Sequence, residues 1–305
     1  MDGLLLIDKQ PGITSHDVVD LVRRFGKEKK AGHIGTLDPA ATGLLVLCLG
    51  RATRLQAYLM KMEKTYEGTI RFGWATATRD AAGEPEGEAV ERSIEGLDLE
   101  PHLAKFRGEF DQLPPAYSAK KIEGKRAYEL ARKGETVTLA PKRVRVDEFS
   151  VLSVAGAVAS FRVRCSAGTY VRALAHDLGL SLGIPAHLAT LRRTAIGGFR
   201  IENALPSASL RDAGRDGIYA SPHYLPMASV DLPLARVFVD PSQERKLLSG
   251  QSVILKPQAE VAAKDLVSIL NLDDELVAIG EAVNVLREGG GPVEIAPKVV
   301  LKQSV

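Results

Sequence analysis

Residues 158–183 read VASFRVRCSAGTYVRALAHDLGLSLG, and within these 26 positions the periodicity changes from that of a strand to that of a helix. From Val158 to Cys165 the residues alternate: Phe161, Val163 and Cys165 share one face, and Arg162 and Arg164 occupy the other. Ser166-Ala167-Gly168 reads as a turn, and a helix is expected from Thr169 to about Gly183, with Pro185 just beyond it. Upstream, the apolar run LLVLCL at 44–49, bounded by Gly43 and Gly50, predicts a central strand, and YEGTIRF at 66–72 predicts another. GLLLID at 3–8 predicts a buried strand, followed by a turn at Gln10-Pro11-Gly12. Thr14 with Asp17 three residues on then starts a helix whose apolar face is Val18, Val19, Leu21, Val22 and Phe25. Helices interrupting many strands predict an α+β domain around an extended mixed sheet.

After about residue 205 the pattern loosens and becomes a series of short strands separated by turn residues: 236–239, 252–255, 266–270, 276–280 and 298–301. That rhythm predicts a small β-rich module. The expected division is 1–230 for a catalytic domain and 231–305 for the module, with the alanine-rich stretch from Pro257 to Asp265 expected to be helical. No internal repeat or low-complexity tract is evident.

The chain has 305 residues, 45% hydrophobic and 26% charged, the composition of a soluble globular protein. Cys48 and Cys165 each sit in strand-like runs as small hydrophobes, which suits a reducing cytoplasm. Leu4 to Ile7, flanked by acids, is too short for a signal peptide, and no apolar stretch reaches membrane-spanning length. A net charge of +2 announces no polyanionic partner, but its distribution says more. Lys120, Lys121, Lys125, Arg126, Arg132, Lys133, Lys142, Arg143 and Arg145 face only Glu123, Glu129 and Glu135 within one segment, whereas 84–100 is acidic and rich in turn formers. A local basic face on a near-neutral protein is what phosphate contact requires; a solvated surface is the plainer alternative.

The segment with most chemical content is GHIGTLDPAATG, 32–43, directly before the 44–49 strand. Its glycines allow close backbone approach, and Pro39 disfavours helical geometry at Asp38, so the Asp38 carboxylate is carried on a stiff turn. Read alone, Asp38 fits equally a cap on a helical turn beginning at Pro39. Arg172 falls in the first turn of the expected helix, where the macrodipole disfavours a cation by roughly 0.3–1 kcal/mol. An anionic partner there could be phosphate, Asp38 or Asp80, and an exposed surface arginine is the alternative. The six histidines are scattered, and metal-ligand spacings, Walker loops, GxGxxG and GxSxG are all missing. Neither metal nor cofactor is expected.

With these segments in hand, the chain resembles the bacterial tRNA pseudouridine-55 synthases, the TruB family. The resemblance runs from GLLLIDKQPGITSHDVV (3–19) to LRRTAIGGF (191–199) and, more loosely, into the C-terminal module. GHIGTLDPAATGLL matches the family's catalytic loop, EKTYEG (63–68) its tyrosine strand, TATRDAAG (76–83) its Thr-x-Thr-x-Asp-x-x-Gly element and CSAGTYVRALAHDLG (165–179) its arginine motif. It implies a pseudouridine synthase fold followed by an RNA-binding module of the PUA type. The implied activity is cofactor-free isomerisation of a T-arm uridine in tRNA.

Carried onto this sequence, the resemblance makes Asp38 the catalytic carboxylate, Arg172 its cationic partner and Asp80 a second acid holding that arginine. A cation between two carboxylates favours their charged forms and fixes orientation. Tyr66, which alone reads as a core strand aromatic, matches the tyrosine that stacks on the target base. His33 matches the residue that wedges into the RNA loop to hold the base out of its stack. Tyr170 and Leu191 match the lining of the uracil pocket, and Lys9 a basic residue beside it. LPPAYSAKKIEGKRAYELARKGE (113–135) matches the family's loop over RNA, which assigns Lys120, Lys121, Lys125 and Arg126 to RNA contact. Where the family shows Lys-Pro, this chain has Lys9-Gln10-Pro11. A stand-alone monomeric tRNA enzyme is expected; the alternatives are a guide-directed relative from box H/ACA particles and an RNA chaperone with a vestigial site.

Overall fold

The Gly3–Lys9 strand carries buried side chains at both parities because both of its faces are covered. Its neighbour, Thr42–Leu49, is the expected central strand, with every side chain from Leu44 to Leu49 sealed from solvent. In the computed structural model the described residues are 2–90, 92–115, 117, 121–122, 125–126, 139–257, 260–285 and 291–301, the side chains of 121–122 and 125–126 excepted. Among them, eleven strands form one mixed sheet. Its main path runs Leu205–Pro206, Gly3–Lys9, Thr42–Leu49, Ala186–Ile196, Lys64–Phe72, Val158–Cys165, Lys142–Ala155 and Gly108–Gln112. Ala31–Ile34 pairs with Thr42–Leu49 beside this path.

Two long antiparallel parts of this sheet meet at a narrow seam. Thr42–Leu49 and Ala186–Ile196 run parallel there, and their register comprises Thr42 with Arg192 and Gly43 with Arg193. Continued outward, the register sets Lys9, Gly43, Arg193 and Tyr66 side by side on one face. Two apolar clusters flank the seam on that face. In one, Val18, Val19 and Val22 of the Ser15–Phe25 helix pack on Leu5, Ile7, Leu45 and Leu47. In the other, Leu174, Ala175 and Leu178 of the Val171–Leu182 helix pack on Ile70, Phe72, Phe161 and Val163. Each of the valine, leucine, isoleucine and phenylalanine side chains contributes ~1.5–3 kcal/mol of burial, so the helices are held firmly on either side of the polar strip.

The first helix starts as its sequence predicts, with Thr14 and Asp17 closing a reciprocal capping box. The second begins two residues later than expected. Thr169 bonds back to Ser166 and closes the preceding turn, Tyr170 is extended, and the helix runs from Val171 to a left-handed Gly183.

Residues 235–300 supply a five-stranded sheet in the order Ala235–Phe238, Leu266–Leu270, Leu276–Val285, Val293–Val300 and Val253–Leu255, matching the five strand positions read from the sequence. Leu276, Ile279 and Leu301 join Leu4, Leu6, Leu44, Val46 and Cys48 in one cluster, so this sheet packs on the face of the main sheet opposite the seam's polar strip. The described part of 257–265 is not helical. Asp265 accepts the Ala262 N–H, Lys264 takes a left-handed conformation and Val261 is buried, so local bonds and burial outweigh alanine's preference in a segment too short to nucleate a helix. No helix among the described residues is long and apolar enough to cross a membrane.

Candidate active site

The 35–43 loop enters the seam between the two clusters and is tied down at each step. Arg193 donates through Nη2 to the Gly35 carbonyl at 2.8 Å and through Nε to the Leu44 carbonyl at 2.7 Å. Ser15 Oγ accepts the Leu37 N–H at 2.9 Å and donates to the Leu37 carbonyl at 3.1 Å. The Lys9 ammonium reaches the carbonyls of Gln10, Ile13 and Pro39, stapling the turn after the first strand to this loop. No helix follows Pro39; a turn closes from the Ala41 N–H to the Asp38 carbonyl at 3.1 Å. The Asp38 side chain, half exposed, therefore caps no helix and faces Arg172.

Arg172 is 10% exposed at its side chain and spans two carboxylates, with Nη2 3.5 Å from Asp38 Oδ2 and Nη1 3.5 Å from Asp80 Oδ2. The helix start that carries it is held from outside: Gln112, buried, accepts the Tyr170 N–H at 2.8 Å and donates to the Tyr170 carbonyl at 3.1 Å. Gln112 thus satisfies the backbone N–H of Tyr170, one of the donors that a helix start leaves without an intrahelical partner. Asp80 is fixed by its own motif, since Thr78 Oγ1 donates to Asp80 Oδ1 and Thr76 Oγ1 to the Asp80 carbonyl, both at 2.6 Å. Gly83 completes that element because a Cβ there would stand 2.4 Å from Thr78 Oγ1.

Tyr66 lies on the strip beside Arg193, whose guanidinium carbon is 5.9 Å from the ring centroid. Burial pushes the Tyr66 phenol above its ordinary range, with the Arg193 charge pulling the other way. Tyr170 lies 6.0 Å from the Arg172 guanidinium carbon. Burial lowers Lys9 to about 8, against the attraction of Asp38. Lys64, one strand position from Thr65 and two from Tyr66, is likewise lowered to about 8 by burial, and donates to the Met60 carbonyl at 2.6 Å. His33 is held below its ordinary value, chiefly by burial, and its Nδ1 has no hydrogen-bond partner among the described residues. Leu191 lines an open cavity of about 460 Å³ together with Pro11, Ala40, Thr42, Gly68 and Arg192; the two acids and Arg172 lie outside its walls.

The structure therefore gathers Asp38, Asp80, Arg172, Tyr66, Tyr170, Lys9, His33 and Leu191 about one seam. Lys120 lies outside the described residues, as does most of 113–135. Lys121–Ile122 pairs with Lys125–Arg126 as a short hairpin, and the side chains of Lys121, Lys125 and Arg126 are not described. Among the described residues no group of three or more His, Cys, Asp or Glu is arranged to hold a metal ion. Several polar residues of this arrangement went unread in the sequence, among them Arg193 and Gln112. The alternation of LRRTAI carried a signal for the first, because Leu191 and Arg193 share a parity and Arg192 takes the other.

Two family models match adjoining parts of the chain: "TruB family pseudouridylate synthase (N terminal domain)" over residues 23–171 and "tRNA pseudouridylate synthase B C-terminal domain" over residues 172–229. A tRNA pseudouridine synthase B of Solibacter usitatus is 47% identical over 288 residues, covering 93% of this chain and 96% of that protein. The chain belongs to the TruB family of pseudouridylate synthases. A second TruB protein, from Bacillus cereus, is 38% identical over 291 residues and is covered to 92%, as is this chain. Among solved structures, a Cbf5-Nop10-Gar1 complex aligns with a TM-score of 0.78 at 29% identity, over 99% of this chain and 85% of the other. An H/ACA RNP bound to a substrate RNA containing 2'-deoxyuridine aligns at 0.77 and 27%, over 98% and 85%. The TruB fold and its relatives thus extend over nearly the whole chain.

Proposed function

We propose that this TruB-family enzyme converts the uridine at position 55, in the T-arm of tRNA, to pseudouridine, acting alone and without metal or cofactor. The reaction balances within the nucleotide. The bond from N1 to C1′ breaks, the uracil turns, C5 bonds to C1′, and the proton lost from C5 is matched by one gained at N1. The observation that carries this reading is Arg172 held between Asp38 and Asp80 at equal distance. A half-exposed carboxylate paired with a buried guanidinium is available to a base entering from solvent.

In this reading Asp38 acts on the ribose or base, Arg172 holds it, and Asp80 holds Arg172. Tyr66 stacks on the uracil, Tyr170 and Leu191 line its pocket, and Lys9 braces the loop beneath it. His33, neutral by virtue of its burial, suits insertion between bases better than pairing with phosphate. Lys120, Lys121, Lys125 and Arg126 contact the RNA backbone. Residues 1–230 form the catalytic domain and 231–305 a PUA-like RNA-binding domain. The enzyme works as a cytoplasmic monomer, with tRNA refolding as an accompanying activity.

The test is to incubate purified protein with an unmodified T-arm stem-loop, without guide RNA and in the presence of a chelator, and to quantify pseudouridine. Product from wild type and none from Asp38→Asn, with RNA binding retained, is the expected result. Product that requires an added guide RNA would instead place the chain with the guide-directed relatives, and binding without product would leave only the chaperone role.

A further inference from the structure

Arg193 is 1% exposed and is among the largest fully buried side chains of the molecule. Among the described residues it has no carboxylate within ion-pair distance, unlike its neighbour Arg192, which turns to the other face and grips Asp8 in a two-pronged pair at 3.0 and 2.7 Å. An unpaired buried cation costs several kcal/mol, so a position that needed only bulk or a hydrogen-bond donor would be better served by a neutral side chain.

What Arg193 touches accounts for its retention. Its Nη2 and Nε hold the two ends of the Asp38 loop, at the Gly35 and Leu44 carbonyls, while its own backbone is the register partner of both Gly43 and Tyr66. Both bracketing glycines are shaped to it. At Gly35, φ is +76° and a Cβ would stand 3.2 Å from Arg193 Nη1; at Gly43, φ is +100° and a Cβ would stand 2.3 Å from the Arg193 carbonyl oxygen. The same guanidinium lies 5.9 Å from the Tyr66 ring centroid. Among the described residues it is the one side chain on the strip that bonds both ends of the loop and also faces the tyrosine.

We propose that Arg193 is a positioning residue that locks the Asp38 loop and the Tyr66 ring in fixed relation across the seam. For turnover this rests on the synthase reading above; as a mechanical statement it does not. The charge also reaches Lys9, Lys64 and His33, favouring the neutral form of each, so the strip is kept from accumulating protonated groups beneath Asp38.

The experiment compares Arg193→Gln and Arg193→Lys with wild type, each first shown to be folded by urea denaturation. On the stem-loop substrate, Arg193→Gln is expected to lower kcat by about 100-fold while KM moves less than about threefold, since the group acts on geometry at the reacting centre rather than on RNA affinity. Arg193→Lys recovers at least about tenfold of that loss, because an ammonium keeps the charge and one carbonyl bond but not the fork. In a Tyr66→Phe background the cost of Arg193→Gln shrinks to under about tenfold, the signature of two residues acting as a unit. Hydrogen exchange in peptides covering 33–47 accelerates in Arg193→Gln while the Ser15–Phe25 helix keeps its protection. That last readout needs no turnover, so a wild-type protein that made no pseudouridine would sink the synthase reading and leave the lock still under test. Unchanged kcat in a folded Arg193→Gln, loop exchange at the wild-type rate, or a full multiplicative loss in Tyr66→Phe would each overturn the proposal. Should Arg193→Gln not fold, the same readouts on Arg193→Lys, at reduced size, decide it.

Discussion

Arg172 and Asp38 meet at 3.5 Å across a boundary, the guanidinium nine-tenths buried and the carboxylate half exposed. The buried partner cannot relax, because Asp80 holds its other nitrogen at the same distance. The exposed partner therefore takes its aim from the interior of the protein rather than from solvent.

Arg172→Lys is expected to lower kcat on the T-arm stem-loop by about 100-fold, ~2.7 kcal/mol at the transition state, because a point-like ammonium cannot serve two carboxylates through a planar fork. Asp80→Asn is expected to fall between Arg172→Lys and wild type, since Thr78 and the Ala82 N–H still hold position 80 while the second charge on Arg172 is gone. Steady-state kinetics with measured RNA affinity decide it; equal losses in kcat and in binding would show that the pair serves affinity instead.

Gln112→Leu is expected to destabilise the fold by roughly 1–3 kcal/mol, because the Tyr170 N–H loses its partner while the Tyr170 carbonyl keeps the Ala173 and Leu174 N–H groups. The urea midpoint should drop, and kcat should drop with it, since Tyr170 opens the helix that carries Arg172. A midpoint within error of wild type would mean that water or the helix itself replaces the clamp.

Lys64 supplies a pH signature. Its folded-state value is about 8 against an ordinary 10.5, the cause being burial. Below pH 8 both folded and unfolded chains carry the proton, and the fold bears the cost of a buried charge. Between pH 8 and 10.5 the unfolded chain keeps a proton that the folded one has released, so this residue makes stability rise with pH across that window. Lys64→Met, neutral throughout, is expected to be more stable than wild type near pH 7 and to lose that advantage as pH approaches 10.5, read as the difference between two urea denaturation series. Parallel curves would show that Lys64 titrates in the folded protein as it does in water.

The strands at 3–9, 42–49, 64–72 and 158–165 and the helix capped by Thr14 were legible because each expresses its own period and its own end signals within a dozen residues. Where the reading failed, a contact from elsewhere had intervened. The helix expected from Thr169 begins at Val171 because Gln112, 58 residues away, supplies the bonds at its start. The described part of 257–265 is turned rather than helical because the Lys264 N–H donates to the Ala282 carbonyl, the Ala282 N–H returns to the Asp265 carbonyl, and Val261 is buried.

The candidate site divides in the same way. Asp38 on a stiff Gly-rich turn and Arg172 at an unfavourable helix position could each be singled out locally, yet each alone was equally a cap or a surface residue. The choice among phosphate, Asp38 and Asp80 as partners of Arg172 was not local, and the fold resolved it in favour of both acids. Arg193 escaped notice because an arginine in a strand reads as the solvent face; the parity it shares with Leu191 pointed the other way, and the pairing with Gly43 and Tyr66 sets it inward.

By itself the sequence determined the period of each element, the stiffness of the Asp38 turn and the motifs that mark the family. Only the tertiary structure decided which charges meet, because the two halves of the main sheet join through a two-residue register at 42–43 and 192–193. Strand registry between segments about 150 residues apart depends on packing across the whole sheet, and no window of sequence contains it.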